Sequence, residues 1–548
     1  MQDGLTFSEN TYFGTARSIG MGNAMTAVGG DLGSIGINPA GSAVAGYSQF
    51  TISPGLTISS SSSSYSAYPV NGTDVFSNAN KQNKSVITLP NIGMNLNFKT
   101  GRKSGLKAVT FGFVFNGTNN FNEKMRAGGL NDKTSYLGSM AVLAEGFDVD
   151  FLNGYLDASG KDIDDIDHPY FYGDDRGMYA PWNVIANAQA GAIGTFGDVE
   201  DPAYYYRYIG ATEMFTPTDE FDADGNRIYD IGIGGPLRQT YGRTNSGSKY
   251  DGLLNVGFNF SDRFYLGANL GVTSIDYSSS EYFKEFSQDP NDFPIVLLND
   301  KGEEYTIHFD NYRNQYVYDM SASGIYAKIG FIARPVDGLR VGAAIQTPTL
   351  LNVKETWQHA VEINYIGASA GSATSPRGSY EYFLRSPYRA NAGVAYTFGK
   401  LALVSVDYEM TDYSTMKFKE VDNWNDSFDG LNDEIRNTMG VSHQVRIGAE
   451  FKATPEIAIR AGYNYTTTPT YSYDGNSKIT LNDKINAATI GLGYSSPGSF
   501  FADFAARMRA YANEYIFPYA DYINDVASPI IKNERTRWDV VLTLGWRF

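Results

Sequence analysis

The sequence contains no cysteine. That excludes a disulfide framework and thiolate metal sites. Histidine is scarce too: His168, His308, His359 and His443 form no pair at metal-ligand spacing, so no metal centre is expected. Basic residues are outnumbered, 43 Lys and Arg against 60 Asp and Glu. The net charge of −17 excludes nucleic acid as a partner, because phosphate binding needs a basic surface. No run approaches the roughly 18 apolar residues of a membrane-spanning helix. Met1-Gln2-Asp3-Gly4 has neither the basic nor the apolar region of a secretory signal, so the protein is either cytosolic or a mature form with an added start Met, and the strands described next favour the second. There is no Gly-x-Ser-x-Gly elbow, and no serine shares a strand face with His443; neither catalysis nor a cofactor is expected.

Aromatics and glycine are abundant: 40 Tyr, 33 Phe and 58 Gly. Aromatics suit interfacial girdles, and glycine suits tight turns and crowded barrel interiors. At the C-terminus, Trp538, Val540, Leu542, Leu544, Trp546 and Phe548 share one face of an alternating segment, with Asp539, Thr543, Gly545 and Arg547 on the other, where Val541 is the only apolar member. The pattern repeats as hairpins. Leu254 to Phe260 turns at Ser261-Asp262-Arg263 into Phe264 to Val272, and Val445 to Phe451 turns at Ala453 to Glu456 into Ile457 to Tyr463. Similar pairs meet at Gly101, Pro335, Gly399 and Pro497. The sum is about fourteen antiparallel strands, an even number as bacterial transmembrane barrels need. Short turns alternate with long connections near 59–90, 117–249, 278–315, 350–387, 413–440, 467–485 and 510–535. A soluble sandwich has no reason for that rhythm; an all-β transmembrane barrel does, with both termini on the periplasmic side. Inward positions carry Lys328, Arg334, Arg340, Asp407, Glu409, Arg446, Glu450, Arg460, Asp503, Arg507, Asp539 and Arg547, which need water or a partner at that depth.

Residues 5–46 do not alternate. Gly20-Met21-Gly22 lacks the third glycine and the flanking strand of a dinucleotide loop. The small side chains suit close backbone packing in a narrow space. Ala16-Arg17-Ser18-Ile19-Gly20-Met21-Gly22, then Asp31, then Asn38-Pro39-Ala40-Gly41 resemble the hatch of the FadL/TodX long-chain fatty-acid and hydrocarbon channels. The resemblance is motif-level in residues 5–46, follows strand order along the rest, and is weak in the loops. It implies residues 1–46 as a hatch inside a barrel of residues 47–548, with Arg17, Gly20, Gly22, Asp31, Asn38, Pro39 and Ala40 as gating residues. It further implies passive uptake of a hydrophobic small molecule through the outer membrane, among lipid and lipopolysaccharide, by a monomer. Release is sideways through a kink in the third strand, placed here at Gly112, Asn116 and Gly117, where Gly and Asn weaken a strand. Lateral exit keeps the tail out of water, at roughly 0.8 kcal/mol per CH2.

The connection 117–249 holds two segments of helical periodicity. Leu137, Met140 and Phe147 follow a possible cap at Ser135; Trp182, Ile185 and Phe196 follow Pro181. They form either a packed lid or an apolar groove that captures substrate first, and the family's outer capture site favours the groove. The run Asp162, Asp164, Asp165, Asp167 lacks the glycine and terminal Glu of an EF-hand and reads as solvated loop, and Asp222 to Asn226 reads as a hairpin turn. An alternative function within the same family is protein secretion, as shuttle or anchor for exported cargo; a non-specific porin is disfavoured because a hatch blocks a water channel.

Overall fold

The computed structural model describes residues 2–67, 76–152, 172–173, 179–196, 207–221, 227–299, 301–421, 428–474, 477–480, 484–523 and 526–548. The acidic run with His168, and the turn 222–226, lie outside the described residues. The alternating segments pair as antiparallel strands: β1 (Gln49–Ser66), β2 (Asn80–Lys99), β3 (Leu106–Asn120, resuming as Glu123–Asn131), β4 (Leu237–Phe260) and β5 (Phe264–Ser287). Next come β6 (Glu304–Ala333), β7 (Leu339–Gln346, resuming as Leu350–Ile366), β8 (Gly378–Arg385, resuming as Arg389–Phe398) and β9 (Ala402–Asp412). The last are β10 (Val441–Lys452), β11 (Ile457–Thr467), β12 (Lys484–Ser495), β13 (Phe500–Ala510) and β14 (Ile530–Arg547). β14 pairs back onto β1, from Arg547↔Gln49 to Ile530↔Ser66, so the sheet closes as a 14-stranded barrel. Closure removes the edges through which a sheet of this size would aggregate.

Outward positions such as Leu254, Leu270, Val272, Ile325, Ile329, Val394, Ile490 and Leu492 are exposed and form a continuous apolar belt. Only hydrocarbon covers such a belt without cost, so the barrel spans a membrane. β11 has 11 residues, about the length of a tilted spanning strand, whereas β6 has 30. The wall is therefore lopsided: low at β10–β13 and tall at β4–β7. This corrects the expected loops, since 59–66, 237–249, 278–287, 304–315 and 350–366 are largely strand. Above the hydrocarbon, a strand need not present an apolar face. Ser59 to Ser64 are ladder-bonded to β2 and β14 with serine on both faces, and alternation has nothing to mark.

The N-terminal segment sits in the lumen as α1 (Gln2–Ser8), α2 (Ala16–Gly20), a 3-10 turn at Gly33–Gly36 and α3 (Gly41–Val44). Its residues are almost all buried, and its backbone presses directly on the wall. A Cβ at Gly448 would overlap the Met21 carbonyl, one at Gly462 the Gly22 amide, one at Gly267 the Pro39 carbonyl, and one at Gly330 the Asn38 side chain. Gly448 pairs with Gly462, and Gly267 with Gly330, so these gaps in the inner face line up across neighbouring strands. The wall has lost side chains where the hatch passes.

Gly448→Val is expected to leave the barrel folding but to destabilise it by about 1–3 kcal/mol through overpacking. Thermal unfolding in detergent and protease sensitivity of residues 5–46 check this. Gly252→Val, where an added Cβ meets only Val272 O at 3.9 Å, is expected to match the parent.

Candidate functional site

The hatch backbone is irregular: turns and short helices satisfy part of it, and other carbonyls turn outward to the wall. The wall supplies donors. Asn97 Nδ2 donates to Ala45 O at 2.8 Å, Asn255 Nδ2 to Pro39 O at 3.0 Å, and Asn269 Nδ2 to Ile35 O at 2.8 Å. Lys328 Nζ donates to Gly36 O at 2.9 Å, Arg340 to Val28 O at 2.6 Å, and Asn391 Nδ2 to Ile37 O at 3.0 Å. Lys249 Nζ donates to Phe7 O at 2.8 Å, and Arg507 to Tyr12 O at 3.1 Å. In return, the Thr26 amide donates to Asp407 Oδ2 at 2.7 Å. Each bond spares a buried carbonyl or amide a desolvation cost of about 1–3 kcal/mol.

The residues singled out for gating fall at these joints. Arg17 pairs with Glu450 at 3.0 Å; Glu450 also meets Arg460 at 2.6 Å, and Arg460 meets Asp503 at 2.5 Å. The Arg17 guanidinium is held above its usual range, chiefly by Glu450. Gly20 approaches Gly491, and Gly22 adopts a left-handed backbone against β11. Asp31 Oδ1 accepts the Thr15 hydroxyl at 2.6 Å and the Gly33 amide at 2.9 Å. Burial raises its carboxyl above the usual range, against the pull of Arg17 and Thr15. Asn38 is fully buried, donating to Thr26 O at 2.7 Å and to the wall carbonyl of Phe331 at 3.0 Å while accepting from the Ala40 amide at 3.1 Å. It thus fastens the hatch to itself and to the barrel.

The third strand is interrupted. The β2–β3 ladder runs from Lys99↔Ala108 to Asn91↔Asn116 and stops. Beyond it β2 pairs only with β1, and the rest of β3 only with β4, through a bulge at Thr118 and a break at Phe121 and Asn122. Hatch amides occupy the released edge: Thr11 N donates to Thr118 O at 2.7 Å and Phe13 N to Gly117 O at 3.0 Å. Lys84 of β2 reaches across the gap to Asn245 O at 2.7 Å. Asn116 and Gly117 therefore stand where the ladder ends. Gly112 does not: it is paired on both sides, to Asn95 and Asn255, and its missing side chain makes room for Asn255. Arg334 is likewise not in the lumen; it sits at a hairpin turn with Asp337 at 3.0 Å.

The long connection after β3 folds as a lid. Ser135 Oγ accepts the Gly138 amide at 2.9 Å and starts helix Tyr136–Ala144; Pro181 starts helix Trp182–Gln189. Leu137, Met140, Phe147, Trp182 and Ile185 are buried together with Tyr312, Phe283 and Tyr519, and Phe196 packs on Phe215 with ring centroids 4.5 Å apart. Among the described residues these six form no open capture groove, because their apolar faces pack on one another and on the upper wall.

Between hatch residues 5–11 and the surrounding wall lies a cavity of about 550 Å³. It reaches the low rim at Thr466–Thr468 and, at its other side, the β3 break, where Phe7, Phe121 and Tyr277 pack edge to face. Arg243, Arg389, Arg509, Arg535 and Arg537 also line it, so it is two-faced rather than apolar throughout. Sequence reasoning missed the wall asparagines, Lys249, Arg389, Arg509 and Arg537, although each stands at an inward step of an alternating strand.

In the lid, the buried Glu213 carboxylate accepts the Gly210 amide at 2.9 Å. Burial, aided by Glu145 and opposed by that bond, pushes its carboxyl up to about 7. Its contribution to lid stability is complete below the ordinary value of 4.5 and is lost as pH rises through about 7. Proteolytic nicking of the lid is expected to quicken over that rise, and Glu213→Gln to weaken the pH dependence, with Glu285, which accepts the Tyr136 amide at 2.8 Å, carrying the remainder; an unchanged profile would contradict the assignment.

No protein-family model and no curated protein matches the chain. Among solved structures, a Pseudomonas aeruginosa FadL homologue aligns at 11% identity and a TM-score of 0.45, covering 99% of this chain and 98% of that one. The Pseudomonas putida toluene transporter TodX aligns at 11% identity and 0.45, covering 98% and 99%. The monoaromatic hydrocarbon channel CymD aligns at 10% identity and 0.44, covering 98% and 99%. The chain is a closed 14-stranded membrane barrel with a seated N-terminal hatch, resembling the FadL/TodX channels in its hatch motif.

Proposed function

We propose that the chain is a monomeric bacterial outer-membrane channel for passive uptake of hydrophobic small molecules, long-chain fatty acids among them. Its long loops face outward among lipopolysaccharide, and both termini face the periplasm. Substrate enters the lumen cavity, the hatch gates its passage, and it leaves sideways between β2 and β3. One observation carries this reading: the β2–β3 ladder stops at Asn91↔Asn116, beside the aromatic face of the cavity formed by Phe7, Phe121 and Tyr277. A tail leaving there passes from aromatic side chains into lipid without exposure to water. The released β3 edge is bonded to hatch residues Thr11 and Phe13, so opening the gap and moving the hatch are one event. Of the neighbours named above, one is a toluene transporter and one a monoaromatic hydrocarbon channel.

The chain has no cysteine, which permits a clean test. Cysteine pairs across the gap, one at 86–89 on β2 and one at 117–119 on β3, are oxidised in cells lacking other uptake routes. Fatty-acid uptake is expected to fall to the level of cells without the protein and to return on reduction. Undiminished uptake with the pair closed would remove lateral exit.

A further inference from the structure

We propose that the lipid-facing side of the barrel binds a phosphorylated, multiply acylated lipid of the outer leaflet. Its phosphate rests on Arg385, Lys417 and Lys419, and an acyl chain fills a groove in the wall below them. The site lies outside the lumen and does not depend on what the lumen carries; it requires only that the long loops face outward. Three neighbouring strands build it: β7, β8 and the short strand Lys417–Glu420 that follows β9. Leu350 pairs with Arg385, and Arg385 with Lys417; two residues higher, Asn352 pairs with Phe383, and Phe383 with Lys419. Arg385 and Lys417 thus stand directly opposite each other on the outward face, with Lys419 on the diagonal. Like charges so placed repel and weaken a sheet. The chain's net charge is −17, yet among the described residues no carboxylate lies within 4.0 Å of these three. Other cations of the same face do have one: Lys354 meets Glu381 at 3.2 Å, and Arg377 meets Asp319 at 3.4 Å.

The register sets this group at the edge of the hydrocarbon. Leu350, 58% exposed, pairs with Ile325, 56% exposed, at the top of the apolar belt. The outward residues of β6 above Ile325 are Ser323, Ser321 and Asp319, so the belt ends there. Lipid headgroups occupy that level, and basic side chains beside them attract anionic ones. A phosphate between Arg385 and Lys417 removes their repulsion and accepts charge-assisted hydrogen bonds from both. Below, Ala343, Ala390 and Ala392 line a groove of about 740 Å³ between Phe331, Ile345 and Tyr408. Ala390 stands five residues beyond Arg385 along β8. At about 3.3 Å per residue that is roughly 17 Å, close to the depth of one leaflet, so a single lipid reaches both. A free phosphate would leave the groove unfilled. A second copy docked symmetrically would set the same cations against each other.

The test is native mass spectrometry of the full chain released from detergent, titrated with bisphosphorylated lipid A and with the same lipid stripped of phosphate. The phosphorylated lipid is expected to bind at least about tenfold more tightly, at roughly fivefold per cation engaged. The triple variant Arg385→Gln, Lys417→Gln, Lys419→Gln is expected to erase that preference. A control triple, Arg102→Gln, Lys103→Gln, Lys452→Gln, removes as much charge at the opposite rim and is expected to retain it. Ala392→Phe obstructs the groove and is expected to weaken both lipids by a similar factor. Inorganic phosphate in excess is expected not to compete. Heat-dependent gel mobility establishes that each variant is folded. Equal binding of the two lipids, binding of neither, or a preference that survives the first triple variant overturns the inference. Displacement by inorganic phosphate, or lipid binding untouched by Ala392→Phe, overturns the acyl groove. A dimer that forms in place of the lipid complex and is lost in the first triple variant makes the face an interface between copies and overturns the lipid site. Fatty-acid uptake through the first triple variant is expected to equal the parent's, so failure of the lipid site leaves the uptake reading standing.

Discussion

An irregular backbone at membrane depth must find hydrogen-bond partners, and this structure is organised around meeting that demand for the hatch. Helices and closed sheets satisfy themselves; residues 9–45 do not. Their carbonyls are met by Asn97, Asn255, Asn269, Lys328, Arg340 and Asn391, drawn from β2, β4, β5, β6, β7 and β8. Glycines such as Gly267 and Gly448 let the two backbones come close enough for this. The hatch is thus a second layer of the barrel wall. Glu450, Arg460 and Asp503 of the wall form with Arg17 of the hatch a chain of charges in which each is paired.

The same demand explains the interrupted strand. A strand leaving its ladder exposes amides and carbonyls, and at Gly117 and Thr118 those carbonyls are met by hatch amides of Phe13 and Thr11. The interrupted seam of the barrel and the hatch therefore share bonds. Above them the described part of the lid spends its aromatic residues on packing, and the cavity extends instead to the low rim at β11 and β12, beside Thr466–Thr468.

Much of the barrel was legible in the sequence, because lipid on one face and a polar lumen on the other force alternation on every spanning segment. Asn38-Pro39-Ala40 pointed to the hatch by resemblance. What alternation could not show lay above the membrane, where Ser59 to Ser64 form strand without any apolar face. Periodicity found the lid helices through Ser135 and Pro181 but could not say what their apolar faces touch; Leu137 and Ile185 are fully buried in the lid rather than open to a ligand. Gly112 was misassigned because a glycine that makes room for Asn255 looks, in one dimension, like a glycine that breaks a strand. Arg509 and Glu9 stand some five hundred residues apart in sequence, and only closure of the barrel brings them to one cavity.

A hatch bonded to the wall in this way should close the lumen to ions. Single-channel conductance in planar bilayers tests it most directly, comparing the full chain with one lacking residues 5–46. The full chain should pass no steady ion current, and the shortened one should open a stable pore. Equal conductance in the two would contradict the account.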